Sequence, residues 1–252
     1  MISKNFIIKN NSCNISCKIY CEDLRSLDKI VIFFHGFGGH KDNKAAERFA
    51  SAANAKEKKT GVITFNWPGH GDDIKKRLVF SDCNEYLKAV VSYTRDEFKV
   101  SDIYAYGTSF GAFMVLEYIA AFENPFKKMA FRCPAIPFHD VLKNAIMNED
   151  DFRLLEKGKE AQIGFDRKVF INQAFVDDAI TADISNIDYI DFADDILIIH
   201  GLKDEIVPIE RVQEFCERNV IEFIPVEKAD HRFCDLNALN WANNKVLEFF
   251  HE

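Results

Sequence analysis

The 252-residue chain is 48% apolar and carries 24 phenylalanines, enough to bury about three quarters of its unfolded surface in one large core. A net charge of −8 argues against nucleic acid as the main partner. No run approaches the ~18 apolar residues of a membrane span.

The N-terminal residues lack a continuous apolar stretch and a small-residue cleavage site, so no signal peptide is expected. Residues 4–21 alternate loosely (Phe6, Ile8, then Ile15, Cys17, Ile19) around Asn10-Asn11-Ser12, which predicts an N-terminal β-hairpin. Lys29–Phe34 is the continuous apolar run of a strand buried on both faces. It ends in His35-Gly36-Phe37-Gly38-Gly39. Lys41 stands where a dinucleotide-binding loop would need its last glycine, and no G-K-[ST] follows. The turn is therefore read as an oxyanion-binding turn, with the Phe37 N–H as candidate donor.

Residues 42–57 predict an amphipathic helix capped by Asp42, and Gly61–Phe65 the next strand, leading into Asn66-Trp67-Pro68-Gly69-His70-Gly71-Asp72. A helix is expected over 82–98. A strand from Asp102 then turns sharply at Gly107-Thr108-Ser109-Phe110-Gly111 into an apolar helix over 110–122. This is the G-x-S-x-G pattern in the strand–turn–helix context the motif requires, with Ser109 at the tip. The helix N-terminus favours a developing anion beside Ser109. Lys128–Cys133 is another strand. Residues 137–190 are rich in charge and helix formers with isolated aromatics, which predicts a small helical cap without strands. Asp195–His200 resumes the strands, Pro208 opens a helix, Ile221–Val226 is the last strand, and 237–251 the closing helix.

Strands alternating with helices predict a single α/β domain over 1–252, a mostly parallel sheet with helices on both faces and the cap inserted. In such sheets ligands bind beyond the carboxyl ends of the strands. A serine needs a base, and the base an orienting carboxylate. His231, just after the last strand, is at the right edge. His200 ends a buried strand and is assigned to packing; His35 and His70 sit in strand-end turns that could line a pocket. Asp204 follows a strand directly and is favoured as the acid over Glu205 and Asp230. The seven cysteines include no C-x-x-C and are read as small side chains in a reducing, cytoplasmic setting rather than as metal ligands.

Ser109, Asp204 and His231 in this order, behind a G-x-S-x-G elbow, resemble the α/β-hydrolase superfamily. His35–Gly39 is similar to that superfamily's oxyanion turn. The resemblance adds the Phe110 N–H as second oxyanion donor. His200-Gly201-Leu202-Lys203-Asp204 through Pro208 is similar to its H-G-x-x-D-x-x-V-P acid loop, and Asn66–Asp72 to its G-H-G segment. Asn66 replaces an acidic residue and Asp73 a serine common among relatives, departures that touch supporting structure. The short cap resembles that of small bacterial esterases, including cinnamoyl (feruloyl) esterases; monoacylglycerol-lipase-like and aminopeptidase-like members are close to it. The resemblance implies hydrolysis of a small-molecule ester through an acyl-enzyme, with no metal or organic cofactor. The acyl group would be small, medium or aromatic, in a pocket expected to include His35, Gly36, Gly38, Phe138 and Phe175. The same triad also serves peptidases, thioesterases and C–C hydrolases, and a decayed hydrolase could act as a binding module.

Overall fold

The computed structural model describes residues 1–10, 13–73 and 76–252. An eight-stranded sheet organises them, and the strand Lys29–Phe34 explains its layering. Its side chains alternate: Ile30, Ile32 and Phe34 enter one buried cluster, Val31 and Phe33 the other. A strand with period two and apolar residues on both faces must be covered on both sides.

The N-terminal hairpin pairs β1 (Ile2–Asn10) with β2 (Cys13–Cys21); the turn expected at Asn11-Ser12 lies outside the described residues. Next come β3 (Lys29–Phe34), α1 (Lys44–Lys56), β4 (Thr60–Phe65), α2 (Phe80–Phe98), β5 (Asp102–Thr108), α3 (Phe110–Ala121) and β6 (Met129–Arg132). After an inserted segment follow β9 (Ile196–Lys203), α7 (Ile209–Asn219), β10 (Glu222–Asp230) and α8 (Leu236–Phe249). The sheet order is β1-β2-β4-β3-β5-β6-β9-β10, antiparallel only at β1–β2 and β2–β4. Helices α2, α3 and α7 contribute to the core on one face, α1 and α8 to the core on the other.

The chain leaves β3 for β4 and returns to the opposite side of β3 as β5. That reversal opens a crevice between two adjacent strand ends, where open α/β sheets bind ligands. Phe34 is paired with Gly107, so the glycine turn after β3 and the elbow after β5 are held side by side.

Two sequence expectations are corrected. Asn43, not Asp42, caps α1, its side chain accepting from the Ala45 and Ala46 N–H groups. Asp42 instead pairs with Lys18 and Lys41. The inserted segment is also not all helical. Between α4 (Phe138–Val141), α5 (Glu149–Glu156) and α6 (Gln173–Thr181) it holds a hairpin of β7 (Ala161–Ile163) and β8 (Val169–Ile171). Each of these strands is three residues long, too short for period two to stand out, although Ala161, Ile163, Val169 and Ile171 do turn inward together.

Candidate active site

The elbow is built by exclusion. At Gly111 a Cβ would collide with the carbonyls of Phe34 and His35, and at Gly107 it would sit 2.7 Å from the Ala112 Cα. Only glycine lets α3 start this close to β3 and β5. Ser109 takes φ 51° and ψ −117°, a conformation typically costing about 1–3 kcal/mol for a residue with a side chain. Its N–H donates to the Arg132 carbonyl (3.0 Å) and its C=O accepts from Phe113 N–H (3.0 Å), anchoring the tip between β6 and α3.

His231 follows β10 directly. Its Nε2 lies 3.0 Å from Ser109 Oγ and its Nδ1 2.7 Å from Asp204 Oδ2. The three side chains come from three loops separated by up to 122 positions in sequence, all at the carboxyl edge of the sheet. Of the acids weighed against one another, Asp204 makes this contact; Glu205 is exposed and Asp230 accepts from the Cys234 N–H (2.8 Å).

Asp204 is held on all sides. Oδ1 accepts from the N–H groups of Ile206 (2.9 Å) and Val207 (2.8 Å), and Oδ2 from His231 and from His200 Nε2 (3.2 Å). Burial alone would raise its pKa. The hydrogen bonds from His200 and His231, the nearby His231 charge and the Val207 N–H outweigh burial and hold the carboxyl well below the usual carboxylate range. Beyond the packing role expected of it, the completely buried His200 also grips this acid, while its Nε2 lies 3.1 Å from the Val207 carbonyl. Two acceptors around Nε2 place the proton there.

The glycine turn is braced by two neutral histidines. His70 Nε2 accepts from Gly38 N–H (3.1 Å), so its proton is on Nδ1, donated to the Pro68 carbonyl (2.8 Å). His35 Nδ1 donates to the Gly36 carbonyl (2.8 Å) and its Nε2 faces the Trp67 N–H. Burial pushes His70 down to about 4 and His35 well below the ordinary histidine value. Gly38 N–H is taken by His70 and Gly39 N–H by the Gly36 carbonyl (3.0 Å), while Phe37 lines the cavity. Phe110 N–H opens α3, where the first N–H groups have no intrahelical acceptor.

A cavity of about 470 Å³ lies over Ser109 and His231, lined in part by Gly36, Phe37 and Gly38. A larger surface groove, about 630 Å³ between α7, β10 and the end of α8, contains none of these groups.

Three expected pocket residues do not line the cavity. His35 is buried beneath the turn. Phe138 and Phe175 are also fully buried: Phe138 stacks on Phe113 (5.0 Å) and packs on Phe110 (5.0 Å), and Phe175 on Phe80 (5.3 Å). The cap aromatics seal the cap onto α2 and α3, because their apolar area is larger than any open wall could hide from water. In their place the cavity receives Ile146, Phe165, Asp166 and Arg167 from the inserted segment, Arg132 from β6 and Arg232 from the histidine loop. Nothing in the local pattern marked these arginines. The one available signal was Arg132 itself, a charged residue in an otherwise apolar strand.

Compared with known proteins, residues 29–172, more than half the chain, match the family model described as the alpha/beta hydrolase fold. The chain belongs to that family. Among solved structures it is similar to Est1E of Butyrivibrio proteoclasticus with ferulic acid bound (TM-score 0.76, 19% identity, 98% of this chain and 100% of that one). It is also similar to a soluble variant of the Saccharomyces cerevisiae monoglyceride lipase with a substrate analogue (0.75, 12%, 99% and 95%). A third likeness is to mouse alpha/beta hydrolase domain-containing protein 10 (0.74, 15%, 98% and 98%). At these identities the likeness is one of fold. No curated protein matches the chain.

Proposed function

We propose that the chain is a serine hydrolase of carboxylic esters. The observation that carries this reading is the continuous chain Ser109 Oγ–His231 Nε2–Asp204 Oδ2, at 3.0 and 2.7 Å, opening into a cavity. His231 takes the Ser109 proton as Oγ attacks the ester carbonyl. The Phe37 and Phe110 N–H groups receive the oxyanion; one such donor typically contributes about 2.7–4 kcal/mol to lowering the barrier. His231 returns the proton to the leaving alcohol, and water repeats the cycle on the acyl-enzyme. Asp204 holds the tautomer of His231 in which Nδ1 carries the proton.

Apolar Phe37, Ile146, Phe165 and Ile206 around the cavity favour a small to medium or aromatic acyl group, in line with the ferulic acid bound by Est1E. The chemistry requires no metal or organic cofactor. No described helix is long and apolar enough to cross a membrane. Cys17, Cys21, Cys83, Cys133 and Cys216 are buried free thiols, which suits the reducing setting of the cytoplasm.

The test is hydrolysis of p-nitrophenyl esters from acetate to decanoate, and of methyl ferulate, by wild type and Ser109→Ala, with fluorophosphonate labelling in parallel. Turnover and labelling lost together in the variant support the reading. Labelling of Ser109 without ester turnover turns it toward an amide, thioester or C–C substrate. Absence of both leaves a binding module.

A further inference from the structure

Arg132 ends β6 with its backbone against the nucleophile: it is the sheet partner of Thr108, and its carbonyl holds the Ser109 N–H. Its residue is only 6% exposed. The guanidinium lies over the Phe233 ring at 5.0 Å, two residues beyond His231. Tyr106 also lies beside it. Nε and Nη1 are buried and have no hydrogen-bond partner among the described residues. A buried cation with unanswered donors is costly, and aromatic faces compensate only part of that cost.

The residue also lines the Ser109 cavity, together with Arg167 and Arg232. The acid on that wall, Asp166, is exposed and pairs with Arg232 at 3.0 Å. The wall around the nucleophile is therefore cationic on a chain whose net charge is −8. Such a local reversal of sign raises the concentration of anions at the mouth.

We propose that Arg132 selects ester substrates that carry a carboxylate, so that the preferred substrate is the monoester of a dicarboxylic acid, with Arg167 and Arg232 drawing it in. This rests on the ester-hydrolase reading above. The apolar residues of the cavity then hold the methylene or aromatic segment between the two carboxyl groups. Arg132 is the specificity determinant, and the bond broken remains the ester attacked by Ser109.

The test compares monomethyl adipate with methyl hexanoate, a pair that differs chiefly in the terminal carboxylate, by titrating released acid. Wild type is expected to favour the anionic ester in kcat/KM by about ten-fold or more. Arg132→Gln should collapse the ratio, through KM more than kcat. Arg132→Lys should recover part of it, and 0.5 M NaCl should shrink it. Arg167→Gln, on an exposed loop, should lower the ratio by about two- to five-fold, and serves if Arg132→Gln does not fold. Equal rates for both esters in wild type, or a ratio that survives Arg132→Gln, would overturn the proposal. Binding of adipate by calorimetry separates it from the reaction assigned to the site. Adipate bound by wild type and not by Arg132→Gln, with neither ester turned over, would sink the ester reading and keep the anion site. Turnover of methyl hexanoate with no adipate binding would do the reverse.

Discussion

His200 Nε2 lies 3.2 Å from Asp204 Oδ2, so the carboxylate that orients His231 is held by a second, fully buried histidine from the strand beneath it. Both histidines reach the same oxygen, one from each side of the acid loop. The position of Oδ2, and through it that of the His231 ring, depends on His200. His200→Leu is close in volume but removes the donor. It should cost about 2 kcal/mol of stability, the scale of a hydrogen bond to a charged group, and lower kcat/KM with little change in KM. A urea midpoint unchanged from wild type would show that the contact contributes nothing.

Removing the acid itself tests a different link. Asp204→Asn retains the shape but stabilises the wrong tautomer of His231. kcat should fall by about 10⁴-fold, whereas Glu205→Gln, exposed and away from His231, should stay within about two-fold. Stopped assays on the best p-nitrophenyl ester would measure both. Comparable losses in the two variants would refute the assignment of the acid.

The strain at Ser109 predicts a stabilised but inactive variant. Glycine is at ease at φ 51°, so Ser109→Gly should relieve part of the ~1–3 kcal/mol held at the elbow, less about 0.5–1 kcal/mol for its looser unfolded chain. The net expectation is a gain near 1 kcal/mol, or about 2–4 °C in Tm for a domain of this size, with turnover abolished. A melting temperature below that of wild type would mean that the Ser109–His231 contact outweighs the strain.

His70 gives the fold a defined acid sensitivity. Its pKa falls from 6.5 in the unfolded chain to about 4 in the fold, because burial disfavours the imidazolium. The folded state therefore binds fewer protons than the unfolded one between these values. The contribution of His70 is full above about pH 6.5, declines as pH falls, and is gone below about pH 4, about 3 kcal/mol in all. His35, shifted in the same direction and repelled by His70, steepens the fall. Urea titrations of wild type across pH 4–7 should show this slope, and His70→Asn should flatten it. Equal slopes in the two proteins would rule out His70 as the source. Protonation also removes the acceptor for Gly38 N–H, so activity should be lost before the fold is.

The sequence by itself determined the frame and the three side chains that converge at the strand ends. Buried strands such as Lys29–Phe34 are apolar at five consecutive positions, and that pattern reads without a structure because period two and burial on both faces are local properties. The elbow was equally legible: only glycine fits at 107 and 111, so the motif carries its own geometry. Because parallel strands place all their following loops at one edge, the sequence alone puts Ser109, Asp204 and His231 at that edge. Tertiary structure alone decided which side chains face the cavity and which are hidden. Phe138 and Phe175 were expected to line the pocket but pack on Phe113, Phe110 and Phe80, since their large apolar rings lower the free energy most where no water reaches. His200 became a partner of Asp204, and the short hairpin carried Phe165 and Arg167 to the mouth. Arg132, Arg167 and Arg232 lie far apart along the chain, and no local pattern links them. Their shared field exists only once β6, the hairpin loop and the turn after β10 converge, because charge acts through space rather than along sequence.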